Sequence, residues 1–150
     1  MKGGTMGRSG RYGFLVLSLL FVLAVLWQTL LAGLGLFRSD EVWNLHMGTG
    51  HLVVAIPLLM LLLSLGLRLG RRTYRYSGLL LVGTVLQADV FAAIRGSVPV
   101  VAAFHPVLAL LLFAGGGLIV QHAWVIARQP VAHGVRGVVE CPSSLNEAAG

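Results

Sequence analysis

Two histidines in this chain have the type and spacing for chemistry. His46 lies near the start of the second of four long apolar stretches, and His105 near the start of the fourth. Helices that cross a membrane in alternating directions run the same way in steps two and four. Equal offsets then put both imidazoles at one depth and on one side. An imidazole in hydrocarbon is costly unless it is paired, hydrogen-bonded or ligated. Two of them at one level form a clamp for a metal, or for the iron of a b-type haem. Such a haem needs no CxxCH attachment, and the one cysteine, Cys141, provides none.

Polar residues of the other stretches gather at the same level. Gln28 sits in the outer third of the first stretch, and Gln87 and Asp89 in the outer half of the third. A ligating histidine uses its second ring nitrogen to bond a neighbour, and Gln28, Gln87 or Asp89 could fill that place. The cofactor-binding set is therefore His46, His105, Gln28, Gln87 and Asp89, with His46 and His105 as the metal ligands. His51 is five residues past His46, roughly 140° around a helix, so it is expected to hydrogen-bond elsewhere or line a second surface. Blander readings stand beside these. His46 next to Trp43 fits an interfacial aromatic belt, His105 before Pro106 fits a helix start, and buried amides serve as glue between helices. Two histidines with an acidic neighbour also suit zinc or copper, less specifically. His122 and His133 are expected to be solvated.

The elements that position these residues follow from composition. Apolar residues make up 57% of the 150 and charged ones only 11%, with a mean hydropathy of +0.87. Average globular chains carry about a quarter charged residues, so an ordinary soluble domain is excluded. The net charge of +6 lies between apolar stretches rather than on one polar face, which argues against nucleic acid. Four stretches are long enough to span as helices, at about 12–37, 42–69, 77–95 and 98–127, since about 20 apolar residues cross the hydrocarbon. The third is the most polar, with Gln87, Asp89 and Arg95 crowding its end. The fold expected is all-α, an integral membrane up-down four-helix bundle with a tail at 1–11 and a flexible one at 128–150. The first stretch is too long for a cleaved signal peptide and no A-x-A site follows it, so it reads as an anchor. Ser39-Asp40-Glu41 reads as the cap of helix two. Pro57 should kink that helix, and Gly33, Gly35, Gly48, Gly50 and Gly115-Gly116-Gly117 permit close packing.

Orientation follows from charge. Lys2, Arg8 and Arg11 precede the first stretch; Arg68, Arg71, Arg72 and Arg75 join the second to the third; Arg128 and Arg136 follow the fourth. Only Arg38 and Arg95 fall on the other side. The positive-inside rule makes both termini cytoplasmic, which would keep Cys141 reduced.

The segments Gln28-Thr29-Leu30-Leu31-Ala32-Gly33, Leu45-His46-Met47-Gly48-Thr49-Gly50, Gln87 and Phe104-His105-Pro106 resemble the DUF6220 type, a family of small four-helix bacterial membrane proteins of unknown function. The likeness runs over roughly residues 13 to 127 and implies a bacterial membrane protein; with the charge distribution, the expectation is a multi-pass plasma-membrane protein, N-in and C-in. More distantly, the arrangement is similar to one half-bundle of haem A synthase, whose even-numbered helices carry paired haem-ligating histidines. By position that resemblance implies His46 and His105 as ligands, but not the synthase reaction, since only one half is present. Two function classes remain: a haem-binding protein in redox or haem handling, and a cofactor-free accessory subunit, small-solute channel or assembly partner. The lipid bilayer is the expected partner, with a membrane protein or a second copy as further ones. Whether the chain is an enzyme stays open; no HExxH or nucleophile-base pattern occurs.

Overall fold

A computed structural model describes residues 4–94 and 96–129, all of whose elements are helical. Lys2, Arg95, His133, Arg136 and Cys141, and the tail beyond 129, lie outside the described residues. α1 runs from Gly4 to Phe37, so the basic residues Arg8 and Arg11 sit on the helix itself rather than in a preceding tail. α2 covers Asp40–Val53 and α3 Ala55–Gly66. The Ser39 side chain accepts a bond from Val42 N, capping α2 as the sequence implies, with Asp40 and Glu41 in the first turn. The second stretch is interrupted at Val54, ahead of the buried Pro57. Proline has no N–H for the carbonyl four residues back, and its ring crowds that carbonyl.

The third stretch departs most from expectation. α4 spans Arg71–Val85, a π-turn follows over Leu86–Val90, and α5 is the single turn Phe91–Ile94. At 1.5 Å per residue, the regular part of this stretch is about 22 Å long, short of a hydrocarbon core of about 30 Å. Three helical stretches are long and apolar enough to cross a membrane: Gly7–Phe37, Asp40–Gly66 and Pro99–Arg128. The third stretch, in which the π-turn carries Gln87 and Asp89, is not among these three. The last stretch comprises α6, Pro99–Ala102, and α7, His105–Arg128, separated by a turn at Ala103-Phe104.

Neighbouring stretches pack antiparallel. Gly13 stands against Leu63, Gln28 reaches Thr49, and Gly35 lies against Trp43, which pairs α1 with α3 and α2. Gly83 meets Leu112 and Gly115 meets Leu80, pairing α4 with α7. Gly116 stands against Phe21 and Val22, and Arg11 donates to the Gln129 carbonyl at 3.1 Å, closing α7 onto α1. Phe14, Phe21, Met60, Leu80, Leu112, Ile119 and Ala123 fill the interior. Large apolar side chains such as Leu23, Leu79 and Leu110 face outward, a surface suited to lipid tails and not to water.

Within the core lie several hydroxyls. Ser18, Ser77 and Thr84 each donate to the carbonyl four residues earlier, and Ser64 to the one three residues earlier. Bonding back to its own helix satisfies a hydroxyl without any partner across the bundle.

A candidate histidine site and an exposed histidine–aspartate contact

The helix-two turn that follows the Ser39 cap delivers His46 inward, where it is only 9% exposed. The start of α7, set by Pro106, delivers His105. The two rings come together: their centres are 6.2 Å apart, inclined by 74°. Trp43 lies 5.4 Å from the His46 ring and Phe91 6.1 Å from the His105 ring, so apolar aromatic walls flank the pair. Two imidazole nitrogens sharing one metal, at about 2.0–2.1 Å per bond, set their ring centres roughly 6 Å apart. The His46 and His105 ring centres stand at about that separation, with the rings edge to face. Among the described residues no group of three or more histidine, cysteine, aspartate or glutamate side chains is gathered to hold a metal ion.

Gln28 governs the His46 ring twice. Its backbone carbonyl lies 3.1 Å from Nδ1, and its side-chain amide bonds Thr49 Oγ1 at 2.8 Å. The Thr49 hydroxyl gives its own proton to the Leu45 carbonyl at 2.7 Å, so it accepts from the Gln28 amide nitrogen. The amide oxygen then faces Nδ1. Turned over, the amide nitrogen would donate to Nδ1 at 2.8 Å and to the His46 carbonyl at 3.1 Å. Amide orientation and imidazole tautomer are thus coupled. The Gln28 backbone carbonyl, which can only accept, favours a proton on Nδ1 and leaves Nε2 its lone pair, the state a metal ligand needs. Thr49 was not among the residues read from the sequence, although it lies on the same helix face as His46, three residues on.

Gln87 meets His105 through the backbone. Its Nε2 donates to the His105 carbonyl at 3.0 Å, while its Oε1 is buried with no partner. Asp89 is placed elsewhere. It accepts from His51 Nδ1 at 2.7 Å, and the two side chains are 49% and 52% exposed on the outside of the bundle. The structure thus brings Gln28 and Gln87 to the histidine pair and sends Asp89 to His51. His122, expected to be solvated, is instead half-buried at the other end, where its Nε2 donates to Thr73 Oγ1 at 3.1 Å beside the Tyr76 ring. The π-turn explains Asp89: an inserted residue rotates the following side chains, a shift that regular spacing does not reveal.

Outward leucines, three membrane-length helices and a polar layer at one end together define a polytopic helical membrane protein. Over residues 28–93 the chain matches DUF6220, a family of unknown function. The matched stretch takes in Gln28, His46, His51, Gln87 and Asp89 and ends before His105. The likeness to haem A synthase finds no support in these matches. No curated protein and no solved structure matches the chain.

Proposed function

We propose that this chain is a bacterial plasma-membrane protein with a bis-imidazole site for b-type haem in its outer half, serving redox or haem handling. The bundle in this reading is up-down, with the Arg71–Ile94 stretch also in the membrane and both termini cytoplasmic. The observation that carries the reading is the approach of His46 and His105 to 6.2 Å between ring centres from two helices distant in sequence. His46 and His105 would hold the iron, and a bound haem supplies one-electron exchange at a potential set by its ligands and burial. Gln28 fixes the His46 tautomer through its carbonyl and steadies the ring through its bond to Thr49. Gln87 ties the third stretch to the start of α7 and so sets the level of His105. Trp43 and Phe91 keep water from the rings.

A cofactor-free role as accessory subunit or assembly partner is the second reading. It is favoured by two open cavities of about 230 and 240 Å³ at the opposite end, around the Arg68–Gly70 turn. In that case the imidazole pair is packing that closes one end of the bundle.

An absorption spectrum of the purified protein, expressed with ample haem, separates the two. The haem reading expects a Soret band that is lost in both His46→Ala and His105→Ala and kept in His51→Ala. A colourless wild-type protein, or a band indifferent to His46 and His105, refutes it.

A further inference from the structure

The His51–Asp89 pair stands apart from the imidazole site and is the most anomalous surface of the molecule. His51 lies eleven residues past Asp40, so it sits about 16 Å along an apolar membrane-length stretch at 1.5 Å per residue. Both side chains are about half exposed. Leu52 next to His51 in sequence, and Leu86 and Val90 on the π-turn with Asp89, are also exposed. A titratable pair exposed at that depth beside exposed apolar side chains would face lipid tails. Intramembrane ionisable groups face a protein interior or a water-filled cavity, because exposing them to hydrocarbon costs too much. A protein partner over this face would remove that cost.

Gly48 belongs to the same face of α2, three residues before His51 and four before Leu52. A Cβ built there meets nothing within 4 Å, so the close-packing role read for Gly48 from the sequence is not used inside the bundle. A small residue beside a polar pair on an outward helix face is the pattern by which membrane helices associate.

We infer that the His51–Asp89 face is a self-association surface that binds a second copy of this chain. A two-fold axis brings the same patch of both copies together, with each residue i meeting j and each j meeting i. A patch that carries one imidazole donor beside one carboxylate acceptor is complementary to itself in that arrangement. Each copy's carboxylate can then also accept from the other's imidazole, and the open space over Gly48 lets the two α2 helices approach.

The experiment counts subunits of the full-length protein in lipid bilayers by single-molecule photobleaching. Wild type is expected to bleach mainly in two steps. Gly48→Leu, whose side chain enters open space in a single copy, should lower the two-step fraction about ten-fold. His51→Ala and Asp89→Asn should each lower it several-fold. Gly117→Leu, also open but on α7, should leave it unchanged. Single-step bleaching of wild type overturns the inference. So does a two-step fraction indifferent to Gly48→Leu and His51→Ala, or a different protein found at one-to-one stoichiometry in place of the second copy.

Discussion

Gly33 and Gly35, two residues apart on α1, should respond in opposite ways to one added methyl group. A Cβ at Gly35 would stand 2.8 Å from both Trp43 N and Trp43 Cα, backbone atoms that no side-chain rotation can move aside. At Gly33 a Cβ meets nothing within 4 Å. Replacing glycine by alanine within a helix stabilises by roughly 0.5–1 kcal/mol in the absence of contacts. Forcing an extra carbon into a packed contact costs about 1–3 kcal/mol, and a backbone obstacle puts Gly35 toward the upper end. Gly33→Ala should thus gain up to about 1 kcal/mol, and Gly35→Ala lose about 1–2, leaving the two variants roughly 2–3 kcal/mol apart. Equilibrium unfolding in mixed micelles, followed by tryptophan fluorescence, reads the difference directly. Relief of the clash at Gly35 moves the start of α2 away from α1, and with it the His46–Gln28 contact. Any spectral signal from the imidazole pair should therefore change in Gly35→Ala and not in Gly33→Ala. Equal stabilities, or a Gly35→Ala protein at least as stable as wild type, would refute the close approach of α1 and α2.

Gln28→Ala removes the bond to Thr49 but keeps the backbone carbonyl that holds His46. Interhelical bonds of this kind contribute about 0.6 kcal/mol on average and up to about 1.7, so the same unfolding assay should register a loss in that range. A loss beyond about 3 kcal/mol would mean that the amide secures more than one bond. The proposed topology predicts that Cys141 reacts with a membrane-impermeant maleimide in inverted vesicles and resists it in intact cells; labelling in intact cells would reverse the orientation.

Much of the helical order was legible because apolar runs and their breaks are one-dimensional signals. Ser39 before Asp40-Glu41 marks the start of α2, and Pro57 marks an interruption, since each acts within a few residues of itself. The meeting of His46 with His105 was also readable, because equal offsets in like-directed helices survive small errors of boundary. Asp89 was not. Its place beside His51 depends on the π-turn at Leu86–Val90, an added residue without a composition of its own. The double hold of Gln28 on His46 escaped as well, because half of it comes from a backbone carbonyl, which every residue carries. His122 was misjudged for a related reason. Its nearness to a helix end suggested water, whereas its partner Thr73 comes from another helix.

The back-bonded hydroxyls bear on what this bundle can carry. Ser18, Ser64, Ser77 and Thr84 spend their protons on carbonyls of their own helices, and Phe21, Met60, Leu80, Leu112 and Ile119 pack between and around them. A proton wire needs hydroxyls that can pass a proton from donor to acceptor across helices, and a solute path needs polar groups facing an opening. This interior behaves instead as a dielectric plug between the imidazole layer at one end and His122 at the other. Under the proposed function, charge arriving at His46 and His105 would then have to leave by the side on which it entered. The channel-like version of the cofactor-free reading becomes the weakest of its forms.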